Sequence, residues 1–73
     1  MEVSDCYTTL RSIGVSVETA DALAPILLGL SEKKREAFYL WAMGEPERMI
    51  AKQLRMSRRT IWQVINDVKA KCL

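Results

Sequence analysis

The sequence predicts an all-α fold, a compact four- to five-helix domain that ends in a helix-turn-helix. Three observations predict it. Apolar residues recur at steps of three and four, with no useful length of the alternation that marks strands. Serine, glycine and proline stand where helices start and stop. The composition, 49% hydrophobic and 27% charged, is that of a folded domain and not of a disordered tail. With 73 residues there is room for one domain, 1–73, which on folding buries about 60% of the surface its unfolded chain exposes. It is expected to fold without a cofactor.

A first helix is predicted from about Asp5 to Ile13, with Ser4 as N-cap and Gly14 as its stop. A second follows Ser16 and carries Ala20, Leu23, Ala24, Leu27 and Leu28 on one stripe, with a kink or restart expected near Ala24 because of Pro25. Ser31 caps a third, EKKREAFYLWAM, which runs to Gly44 with Phe38, Trp41 and Ala42 on one face and Ala37 and Leu40 beside them. Its Lys33, Lys34 and Arg35 are expected to form a solvated first turn. Pro46 opens a fourth helix over residues 46–54 that turns Met49, Ile50 and Leu54 inward. Ser57 caps the last, residues 58–71, whose buried stripe is Ile61, Val64, Ile65, Val68 and Cys72.

Charge is unevenly spread along these elements. Residues 1–30 hold one cation against four acids, a net −3, whereas residues 45–73 hold seven cations against three acids, a net +4. The C-terminal half therefore suits a polyanionic partner. The N-terminal MEVSDC has acids where a signal peptide needs basic residues, and the longest apolar run, residues 22–30, is too short to span a bilayer. A cytoplasmic protein with no membrane partner is expected. There is no histidine, and Cys6 and Cys72 stand at opposite ends, which argues against a zinc site. Both read as reduced thiols, with a bridge between the termini left open. Without histidine or paired buried carboxylates, no group is placed for acid–base chemistry, so an enzyme is not expected.

The break at Met56-Ser57 inside MIAKQLRMSRRTIWQVI divides two helical segments by a tight turn. Around it, Ala51 supplies the small residue that a close helix crossing needs, Ile50 and Leu54 support it, Met56 plugs the turn, and Ile61 and Val64 complete the packing. Arg55 stands where such a turn usually has glycine, and an ordinary helical turn is expected there. The outer face of the last helix then presents Arg58, Arg59, Trp62, Gln63, Asn66 and Lys69.

Residues 30–73 resemble region 4 of the sigma-70 family and the related LuxR-type output domains. The likeness rests on Leu30, on Arg35-Glu36-Ala37-Phe38, on the spacing from Gly44 to Ile50-Ala51, on Leu54, and on Ser57-Arg58-Arg59-Thr60-Ile61 followed by Gln63 and a basic stretch. It implies a last helix lying in the DNA major groove, with Arg58, Arg59 and Gln63 at base edges and Thr60 and Lys52 at phosphates. Arg pairs bidentately with guanine and Gln with adenine, while Lys and helix N-termini hold phosphates. Trp62 joins the expected base contacts, and Ser57, Arg55, Asn66 and Lys69 the expected phosphate contacts. Arg48 and Met49 depart from the acidic pair frequent in region 4, and Trp62 departs from a polar or basic position.

Two functions are open at this point. The first is a small DNA-binding transcription regulator, of a kind that phages and mobile elements carry, binding double-stranded DNA, with residues 1–30 as the candidate surface for a homodimer. The second is a regulator that uses the same module to dock on RNA polymerase or another transcription protein, as an initiation inhibitor or antitermination factor. For Trp62 two places are equally open: exposed to a partner, or covered by the N-terminal segment.

Overall fold

Three serines start three of the helices in the computed structural model, which describes residues 2–72. In chain order the helices are α1 (Val3–Ser12), α2 (Val17–Leu28), α3 (Glu32–Ala42), α4 (Glu47–Leu54) and α5 (Arg58–Cys72), with no strand among the described residues. The hydroxyl oxygens of Ser16, Ser31 and Ser57 accept the backbone N–H three residues on, from Thr19 at 3.3 Å, Lys34 at 3.4 Å and Thr60 at 3.1 Å. Each satisfies a donor that a helix start leaves free. At α1 the expected cap, Ser4, lies inside the helix instead. The Asp5 carboxylate accepts the Glu2 N–H at 2.9 Å, and a charged acceptor holds the earlier start more firmly than a hydroxyl would. Pro46 likewise sits one position before its helix, with extended backbone.

Three helices end on one motif. Gly14 and Gly44 take φ of 96° and 93°, and the following N–H returns to a carbonyl five residues back, Val15 to Leu10 at 3.0 Å and Glu45 to Leu40 at 3.1 Å. α4 closes with the equivalent bond, Met56 N–H to the Ala51 carbonyl at 3.0 Å, but its left-handed residue is Arg55, at φ 55° and ψ 47°. The ordinary turn expected at Arg55 is thus corrected. The bond that seals α4 demands a left-handed residue, a conformation that costs a side chain with a Cβ about 1–2 kcal/mol.

The core has two parts that meet at α3 and α5. Cys6 and Leu10 of α1 and Ala20, Leu23, Ala24 and Leu27 of α2 pack with Phe38, Tyr39 and Val68. Ala37, Leu40, Ile50, Ile61 and Ile65 form the second part, and Trp41, half-buried, packs against both. The radius of gyration, 11.4 Å, is close to the roughly 11 Å expected for a single folded unit of this length.

Pro25 does not interrupt α2, which is helical from Val17 to Leu28. Asp21, Ala22 and Pro25 are exposed while Ala24 and Leu27 on the opposite side are buried. The carbonyl that Pro25 leaves without a partner therefore faces water, and core packing holds the helix across it. Met49, expected inward, is 46% exposed. It lies about 100° around the helix from Ile50, and α4 packs so that Ile50 alone is fully buried while Met49 falls on the solvent side. Cys72 and Leu28, at the edges of their stripes, are half-buried. Both thiols are free, Cys6 buried and Cys72 partly so.

Arg35 is the largest departure from expectation. Lys33 and Lys34 are exposed, but Arg35 is buried: its Nε donates to the Leu27 carbonyl at 3.0 Å and its Nη2 to the Leu30 carbonyl at 2.9 Å. The guanidinium gives the Leu27 carbonyl, which already accepts the Leu30 N–H at 3.0 Å, a second donor, and it bonds the Leu30 carbonyl of the link to α3; a cation at a helix C-terminus is also favoured by the dipole. Tyr39 lies one turn along. Burial pushes its hydroxyl up to about 12, with the neighbouring Cys6 thiol adding to the shift and the Arg35 guanidinium and Thr9 hydroxyl opposing it. No helix among the described residues is long and apolar enough to cross a membrane.

Candidate nucleic-acid interface

α5 separates two sets of residues by periodicity alone. Ile61, Val64, Ile65 and Val68 are buried, and Arg58, Arg59, Trp62, Gln63, Asn66 and Lys69 are exposed. Three residues, Arg55 to Ser57, connect α4 to α5, and both helices pack on each other and on α3. The inner stripe is anchored in both parts of the core, through Val68 in one and Ile61 and Ile65 in the other. The outer face is therefore carried on a rigid support.

The cations cluster at the start of this helix. Its first turn holds two arginines and no acid, each cation there unfavourable to the helix dipole by roughly 0.3–1 kcal/mol. Arg55, forced into the left-handed region, and Lys52 on α4 are also exposed. Free N–H groups at the helix start add to the positive potential that these side chains create. An anion at this helix start would offset the charge of the two arginines.

The expected contacts differ in how free they are. Arg55, Arg58, Arg59, Gln63 and Lys52 are exposed. Ser57 and Thr60 are joined through their hydroxyl oxygens at 2.7 Å, and Thr60 is half-buried. Asn66 turns one N–H back to the Trp62 carbonyl at 2.7 Å. Lys69 sets its Nζ 4.7 Å from the centre of the Trp41 ring on α3, a cation–π contact that draws it away from the arginines. Trp62 is 57% exposed, so the N-terminal segment does not cover it.

Met43, at 52%, is exposed as well, as is Met49, which was expected inward. Two clefts lie elsewhere. One, of about 490 Å³, is lined by Ser31, Glu32, Lys33, Glu36 and Leu54. The other, of about 240 Å³, is lined by Asp5, Thr9, Glu32, Arg35, Glu36 and Tyr39. Among the described residues no group of His, Cys, Asp or Glu could hold a metal ion. Comparison with protein-family models, with curated proteins and with solved structures gives no match, so the likeness to sigma region 4 rests on the quoted residues alone.

Proposed function

We propose that the chain is a small DNA-binding transcription regulator whose α4, turn and α5 act as a helix-turn-helix, with α5 entering the major groove. One observation supports this reading above the others: the exposed face of α5 opens with Arg58 and Arg59 and continues to Gln63, side chains suited to base edges, with Arg59 and Gln63 opposite the stripe that fixes the helix to the core and Arg58 at its border. Arg55, Lys52 and the start of α5 supply phosphate contacts that set register. Such a module reads few base pairs, so useful affinity calls for a second copy or a partner already on DNA. The exposed surface of residues 1–30, with Val3 and Val17, is available for that contact.

A second reading is favoured by the exposed Trp62, Met43 and Met49. Tryptophan and arginine are the residues that most often dominate protein interfaces, so the same face suits docking on RNA polymerase or another transcription protein. An amide NMR titration of the labelled protein with a random-sequence duplex, at low and moderate salt, separates the two. DNA binding predicts shifts concentrated at residues 57–66 that fade as salt rises. A silent spectrum at low salt would reject it and turn attention to polymerase.

A further inference from the structure

Trp62 is the one large apolar side chain exposed on α5, and it stands inside the cationic face: four residues after Arg58, three after Arg59, and immediately before Gln63. Its register is fixed, because the Asn66 amide bonds its carbonyl and its neighbours Ile61 and Ile65 are buried. An arrangement in which Arg58, Arg59 and Gln63 approach base edges also drives the indole onto the groove floor.

The major groove offers one apolar group that protrudes, the C5-methyl of thymine; the other groups that distinguish its base pairs are hydrogen-bond donors and acceptors. Over a polar edge the indole would bury carbons and strip water from groups it cannot replace, whereas over a methyl it buries apolar area on both sides. We propose that Trp62 is a specificity-determining residue that selects thymine by its methyl group. This rests on the DNA-binding reading above.

The helix also fixes where that thymine lies. Arg59 and Trp62 are separated by about 4.5 Å along the helix axis, and successive bases rise about 3.4 Å. With α5 lying along the groove, the thymine falls one or two base pairs from the guanine that Arg59 would read. A duplex site of this class carries G and T side by side or separated by one pair.

The test begins with selection of a binding site from a random duplex pool by the full 73-residue chain. Each thymine of that site is then replaced by deoxyuridine, which removes the methyl and nothing else. One replacement, next to a guanine or one pair away, should weaken binding roughly fourfold, the worth of one buried methyl. Trp62→Ala should bind the thymine and uracil duplexes equally, with unchanged helical circular dichroism to show that it folds. Putting 5-methylcytosine at that pair should recover part of the loss for the native chain only. If no deoxyuridine changes the affinity, or if Trp62→Ala keeps the native preference, the proposal is overturned while DNA binding stands, and Trp62 belongs to a protein contact. If no duplex is selected at all, the DNA-binding reading itself falls.

Discussion

Arg35 Nε donates to the Leu27 carbonyl at 3.0 Å across eight residues of sequence, tying the start of α3 to the end of α2. With Arg35 Nη2 on the Leu30 carbonyl, a single side chain holds the corner between the two helices. Arg35→Ala should destabilise the protein by about 2–4 kcal/mol, since it removes two charged hydrogen bonds and takes from the Leu30 carbonyl its donor, while the Leu27 carbonyl keeps the Leu30 N–H. Arg35→Lys should recover only part, because an ammonium lacks the fork that reaches both carbonyls. Urea denaturation followed by circular dichroism measures both, and an Arg35→Ala variant as stable as the native chain would contradict the assignment.

Arg55→Gly should raise stability by roughly 0.5–1 kcal/mol, the left-handed strain being partly offset by the greater freedom of glycine when unfolded. The same variant should bind duplex DNA more weakly and lower the slope of log K against log salt by about 0.9 if Arg55 holds a phosphate. Opposite signs for stability and affinity are the signature to look for in paired melting and titration experiments. Equal affinity would remove Arg55 from the interface.

Replacing Arg58 and Arg59 together by Ala should leave the melting temperature unchanged or slightly higher, because two cations leave the positive end of α5. Duplex affinity should fall steeply at low salt. A variant that melts earlier would show instead that the arginines support the fold.

Tyr39 makes stability fall at high pH. Its hydroxyl is raised to about 12 in the fold against about 10 in an unfolded chain. Between those values the folded state keeps a proton that the unfolded state releases, so stability is full below pH 10 and falls by roughly 2–3 kcal/mol by pH 12. Tyr39→Phe should lose this component. Urea midpoints at pH 9 and 11.5 for both proteins give the comparison, and an equal fall in the variant would show that Tyr39 is not its source.

Helix boundaries were legible where the signal is local. Ser16, Ser31 and Ser57 bond a backbone N–H within their own first turn, and Gly14 and Gly44 close helices by their own backbone freedom. The stripe of α5 was legible for the same reason, as period alone assigns its faces. Arg35 was not, because what buries it is the end of another helix, and three consecutive basic residues look alike until that partner is placed. Met49 was misread since apolar character does not say which of two adjacent residues a short helix will bury. Pro25 shows packing overriding a local breaker. The exposed position of Trp62 was undecidable from sequence, as both places open to it depended on how α1 and α2 settle.

The division of α5 into an inner stripe and an outer face has an evolutionary meaning. Changes at Arg58, Arg59, Trp62 or Gln63 alter no buried contact, while changes at Ile61, Val64, Ile65 or Val68 alter nothing that a ligand would touch. If α5 binds as proposed, a lineage carrying this chain could acquire a new target through substitutions that leave folding intact. Drift in the target would be constrained by the ligand alone, which is the condition under which paralogues diverge quickly in preference and slowly in shape.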